Sequence, residues 1–178
     1  MMNFLKPLYR LFIHYSKGAR IDAALQMGSR MRLRTMNDYL KADSQPVIED
    51  GKILGYDSKD VMMEFRIVTN GKLILKNNSK YHAYNIELLN ASEIFWEYKQ
   101  LPKLTSLAPN EKVEIEISFQ QSGHFESGLL ADKLSDIPQD VNNKILNIKY
   151  ENEAGTKLLT KFWVSFTDIK NEQTYWQK

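Results

Sequence analysis

From Lys72 to Asn90 the chain reads KLILKNNSKYHAYNIELLN, two short runs separated by an Asn-Asn-Ser turn. Leu73 and Leu75, then Tyr84, Ile86 and Leu88, alternate with polar neighbours. Successive side chains of a β-strand point to opposite faces, so this spacing collects the apolar ones on a single face. Such a face must be covered by a second layer, and the stretch therefore predicts the central hairpin of a β-sandwich.

The same pattern continues on both sides. Strand-like runs fall at about Val61 to Val68, Lys72 to Lys76, Tyr81 to Leu89, Glu93 to Lys99, Lys112 to Phe119, Lys144 to Tyr150 and Lys157 to Phe166. They are punctuated by Asn70-Gly71, Asn77-Asn78-Ser79, Pro102, Pro109-Asn110 and Ala154-Gly155. Ahead of them, VIEDGKIL sets Asp50-Gly51 between short apolar pairs, a strong hairpin signal. About seven strands with turns between them predict a mainly β protein, an antiparallel Greek-key sandwich over residues 46–178. One connection, residues 120–143, is longer than a sandwich needs. Its Ser127 to Leu134 segment predicts a short helix, with Leu129, Leu130 and Leu134 capping one end of the core.

LILKNNSKYHAYNIEL, then LAPNEKVEIEISF, then ILNIKYENEAGTKLLTKFWVSF resemble the immunoglobulin-like sandwich domains of many bacterial and phage proteins. The matching residues are Asn77, Ala83 and Asn85, then Leu107, Pro109, Asn110 and Glu111. The resemblance spans roughly residues 60–168 and rests on turn chemistry. It implies a spacer, an adhesive module or an assembly part, and it names no ligand. The cysteine pair and core tryptophan of antibody domains are missing in their expected form.

Residues 1–45 are composed differently. Residues 1–41 hold eight Lys or Arg against Asp22 and Asp38, whereas the remainder holds 16 Lys or Arg against 20 Asp or Glu. Phe4, Leu8, Leu11, Phe12 and Tyr15 recur at three- and four-residue steps, with Lys6, Arg10, His14 and Lys17 on another face. That spacing predicts a basic amphipathic helix from Asn3 to Tyr15, with Pro7 tolerated in its first turn. A second helix is expected from Arg20 to Met27, closed by Gly28-Ser29, and a third over MNDYLK after a Thr35/Asp38 capping box. Arg30, Arg32 and Arg34 cluster whether RMRLRT is strand or helix. Pro46 places the boundary between this helical arm and the sandwich near residue 45.

No catalytic, metal-binding or nucleotide-binding motif stands out. His14, His82 and His124 have no metal-ligand spacing, and phosphate-binding glycine loops and G-x-S-x-G are missing. Glu114 and Glu116 alternate with Val113, Ile115 and Ile117, the pattern of a strand's solvent face. With no cysteine in the chain, thiolate catalysis and cysteine zinc sites are excluded. No cofactor is expected, and the chain is not expected to be an enzyme. No run approaches the roughly 18 apolar residues of a membrane span, and residues 1–18 lack the pattern of a signal peptide. The expected location is cytoplasmic, with attachment to a membrane surface or a virion as the alternatives.

The large rings carry more information. Ile94, Trp96 and Tyr98 alternate with Phe95, Trp163 falls on the outer face of its run, and Trp176 follows the last strand. Aromatic side chains outside a core anchor protein interfaces. The expectation is a non-catalytic assembly or adaptor subunit whose partner is another protein or a further copy of itself, within a cellular or viral complex. Its contact residues are Phe4, Leu8, Arg10, Phe12, Arg30, Arg32, Arg34, Trp96, Trp163 and Trp176. The alternatives are a peripheral membrane protein held by the first helix, and a nucleic-acid phosphate binder using Arg30, Arg32 and Arg34.

Overall fold

The computed structural model describes residues 18–41, 43–57, 60–102, 105–125, 137–165 and 169–175. Ten strands account for most of them. In chain order they are β1 (Ile21–Leu40), β2 (Pro46–Glu49), β3 (Lys52–Tyr56), β4 (Val61–Asn77), β5 (Tyr84–Leu88), β6 (Glu97–Tyr98), β7 (Lys112–Phe125), β8 (Ile145–Glu151), β9 (Lys157–Trp163) and β10 (Lys170–Tyr175). A 3-10 turn, Ala91–Glu93, lies between β5 and β6. One antiparallel sheet has the order β1-β4-β7-β6, a second has β10-β9-β8-β5, and β2 pairs with β3 alone.

The two large sheets share one core, the arrangement of a β-sandwich. Ile21, Ala23, Leu73, Leu75, Ile115, Ile117 and Phe119 from the first meet Ile86, Leu146, Ile148, Tyr150, Leu158 and Phe162 from the second. Phe95 joins them edge-on to Phe119, with ring centroids 5.5 Å apart. The alternation read from the sequence sets these faces. Ile115 and Ile117 point inward, while Glu114 and Glu116 are exposed.

The first sheet is much the longer. At about 3.3 Å per residue, 17-residue β4 runs to roughly 55 Å against roughly 23 Å for seven-residue β8 and β9. The N-terminal half of β4, with the C-terminal halves of β1 and β7, therefore extends past the sandwich as a three-stranded ribbon. Phe65 and Ile67, with Met63 against them, form a small second core there. Lys41 N–H bonds the Asp60 carbonyl at the ribbon's end, and β2–β3 stands beyond it. Asp50 and Gly51 both have positive φ (50° and 71°), the conformation of the type I′ hairpin that Asp-Gly predicts.

Several expectations need correction. Among the described residues there is no α-helix. Residues 20–27 and MNDYLK belong largely to β1, paired along β4 from Ile21↔Asn77 to Leu40↔Val61. The spacing of Ile21, Ala24 and Leu25 suits a helix, but a long partner strand satisfies the same backbone, and tertiary pairing wins. The boundary expected near residue 45 falls in the β1–β2 connection, and β1 is bonded into the body's own sheet. The helices expected at residues 3–15 and 127–134 lie outside the described residues.

Asn70-Gly71 is not a turn but the middle of β4. A Cβ on Gly71 would stand 2.8 Å from the Gln26 carbonyl oxygen, so glycine serves close approach there rather than chain reversal. Nor is Lys72–Asn90 a hairpin. β4 and β5 lie in different sheets, and the Asn-Asn-Ser turn carries the chain across the core. Asn77, fully buried, fixes that crossing by donating to the Tyr81 and Leu107 carbonyls at 2.7 and 3.0 Å and accepting from Ser79.

Candidate functional site

Gly28 and Ser29 interrupt the β1–β4 ladder: they lie between the pairs Met27↔Gly71 and Arg30↔Thr69, where β4 has only Asn70. This extra residue is a bulge, and it changes which face each later residue takes. Before it, Ile21, Ala23 and Leu25 face the core. After it, Arg30 and Arg32 stand opposite Thr69 and Ile67 on the continuation of that same face, and Met31 and Leu33 turn to the other. Arg32 sets its guanidinium 5.4 Å from the centre of the Phe65 ring, a cation–π contact that covers part of the small second core. Arg34 stands opposite Phe65 in register. RMRLRT is thus a strand, and the expected arginine cluster lies on the ribbon.

The hairpin beyond the ribbon is the most apolar exposed part of the described chain. Ile48, Ile53 and Leu54 are 61, 65 and 61% exposed, and Val47, Tyr56, Tyr39 and Leu40 are exposed beside them. Ile48 and Ile53 are cross-strand partners and share a face. Val47, the chain neighbour of Ile48, takes the opposite one, and Leu54 is an extra, unpaired residue at a register shift in β3, so both sides of the hairpin carry apolar side chains. Charged residues ring it: Glu49 and Asp50 at the turn, Lys52 next to them, and Asp43, Asp57 and Asp60 at its base. The turn is legible in Asp50-Gly51, whereas the exposed apolar surface was not among the expected contacts. The signal was present in Val47-Ile48, because adjacent apolar residues in a two-stranded hairpin point to both sides.

The expected contact residues do not form one patch. Trp96 is 50% exposed just before β6, its amide bonded to the Ser118 carbonyl. Ile94 and Phe95 are both buried, so the expected alternation of Ile94, Trp96 and Tyr98 is broken by the 3-10 turn. Trp163 lies on the other sheet and is half-buried, with Lys170 Nζ of β10 4.3 Å from its ring centre. β10 therefore covers an aromatic that the sequence left open. Phe4, Leu8, Arg10, Phe12 and Trp176 lie outside the described residues.

A trough of about 800 Å³ crosses the first sheet, lined by Gln26, Asn70, Lys72, Glu97, Tyr98, Glu116 and Ser118 among others. It does not assemble a nucleophile. Ser118 Oγ is buried and has no hydrogen-bond partner among the described residues, so no base activates it there. Nearby Glu114 lies between Lys72 Nζ (2.7 Å) and Lys112 Nζ (3.0 Å). Hydrogen bonds from those two ammonium groups hold its carboxyl down to about 2, and Lys72 is raised in return, first by its bond to Glu114. Both groups are at the surface, and a carboxylate kept ionised by two lysines is a poor proton carrier near neutral pH. Among the described residues no three His, Asp or Glu side chains gather as a metal site, and no helix is long and apolar enough to cross a membrane. Compared with known proteins, the chain matches no family model, no curated protein and no solved structure.

Proposed function

We propose that this chain is a non-catalytic assembly or adaptor subunit, an immunoglobulin-like sandwich that presents an apolar-ended ribbon to another protein. The observation that carries this reading is the β2–β3 hairpin, with large aliphatic side chains exposed on both faces at the end of the longest strands. A two-stranded hairpin has little stability alone, and contiguous exposed apolar surface on a protein marks an interaction site. The sandwich supplies the base. Its strand order, β1-β4-β7-β6 against β5-β8-β9 with β10 outside, is the ABED/CFG order of immunoglobulin-like domains with one added strand.

The arginines of the ribbon contribute to the same docking, as does the N-terminal segment. Attachment to an anionic membrane through the hairpin is disfavoured, because Glu49 and Asp50 would lead the insertion. The test compares stable isotope-labelled affinity capture by the wild type with capture by the Ile48→Asp, Ile53→Asp double variant. A protein partner held by the wild type and lost with the double variant supports the reading. Equal capture by both removes the hairpin from it.

A further inference from the structure

The ribbon carries two surfaces of opposite charge. Residues 43–60, which form the hairpin and its base, hold five carboxylates against two lysines. The shaft, residues 28–40 and 61–69, holds Arg30, Arg32, Arg34 and Arg66 against Asp38 and Glu64. Both parts also expose apolar side chains: Ile48, Ile53 and Leu54 on the hairpin, and Met31 and Leu33 on the shaft face opposite Arg30 and Arg32.

Resting on the docking reading above, we propose that a second copy of this chain occupies the ribbon. Two ribbons lie antiparallel about a twofold axis, each acidic hairpin seated on the basic shaft of the other. A parallel alignment would set hairpin on hairpin and arginine on arginine, which like charges oppose. The antiparallel one makes the same favourable contact twice and closes, giving a dimer rather than a filament. The shaft arginines and the hairpin lie on either side of Leu40, the last β1 residue paired with β4. Leu40 then falls near the axis, and its exposed side chain meets its own counterpart.

Sedimentation equilibrium on the full chain tests this. The wild type is expected to dimerise at tens of micromolar, and the association to weaken as salt rises from about 50 to about 500 mM. Ile48→Asp with Ile53→Asp alters only exposed side chains and should raise the dimer Kd by about tenfold or more. The charge variants Arg30→Glu/Arg32→Glu and Glu49→Lys/Asp50→Asn should each be monomeric, yet form a heterodimer when mixed, because the mixture restores opposite charges at one of the two contacts. If the arginine variant does not fold, the isoleucine variant still decides.

A wild type that is monomeric at about 100 µM overturns the proposal. So does a dimer that the isoleucine variant leaves intact. A monomeric wild type that still captures a different protein through Ile48 and Ile53 overturns the second-copy occupant and leaves the docking reading standing. One that neither self-associates nor captures removes both.

Discussion

Gln173 Nε2 donates to the Tyr150 hydroxyl across 2.8 Å, tying β10 to β8 at the point where both meet β1. Thr160 Oγ1 donates to the Ile21 carbonyl at 2.7 Å, so its proton is committed. The 3.2 Å contact between Tyr150 and Thr160 therefore runs from the tyrosine O–H to the threonine oxygen. The Ile21 N–H points at the same phenol from 3.4 Å, and Asn171 bonds both the N–H and the carbonyl of Ala23. Side chains of the second sheet thus satisfy the backbone of the first sheet's outer strand. A pairing edge is closed without a strand beside it.

Tyr150→Phe removes the hub and leaves Gln173 and Ile21 short of a buried acceptor. The expected loss is about 1–3 kcal/mol in urea unfolding. Burial is the largest influence on the phenol and raises it above the ordinary tyrosine value of 10.0, against opposing hydrogen bonds. With the folded value raised, the unfolded chain ionises first, so this stabilisation is intact below pH 10 and declines as pH climbs past it. The Phe variant should be less stable at neutral pH but should lose that part of the alkaline decline.

Gly71→Ala tests the close approach of β1 and β4. The new Cβ would meet the Gln26 carbonyl oxygen, a backbone atom that cannot turn aside, and the expected cost is about 1–3 kcal/mol. Gly28→Ala, 3.2 Å from the Asn70 carbonyl oxygen, should cost less. Equal stability of Gly71→Ala and wild type in denaturant melts would contradict the register.

Glu114 should titrate at about 2 in a carbon-detected NMR titration, and Lys72→Met should move it upward. Because its folded value is depressed, its contribution to stability is present at neutral pH and fades as pH falls from 4.5 through about 2. The group is solvent-exposed, so the effect on folding is small and the NMR value is the informative readout. A wild-type value near 4.5 would contradict the two ion pairs.

Ile53→Asp and Phe65→Ala should behave oppositely. Ile53 is exposed, and its replacement should shift folding stability by no more than about 0.5 kcal/mol. Phe65 is buried beneath Arg32, and truncating it should cost on the order of 3 kcal/mol. Thermal melts of the two variants distinguish a docking surface from a structural one.

Local chemistry made much of this fold legible. Asp50-Gly51 specified its own turn, Glu114 and Ile115 declared their faces, and Trp163 fell on the outer side of β9. Non-local pairing did not show. Ile21, Ala24 and Leu25 carry a helical spacing that only the long β4 partner overrides. Leu75 and Ile86 alternate alike whether their strands are hairpin neighbours or face each other across a core. The facing of Arg30 and Arg32 depends on the bulge at Gly28-Ser29, which resembles a helix stop in one dimension. The hairpin's exposure was hidden for a related reason: Ile48 and Ile53 look like core residues until their surroundings are known.

The most direct measurement places a photo-crosslinking amino acid at position 53 of the full chain in its native cells, with position 92, the exposed Ser92, as control. Docking through the ribbon's end predicts a discrete protein adduct, with this chain or another, formed at 53 and not at 92. Adducts equally abundant at both positions, or only with lipid at 53, would contradict it.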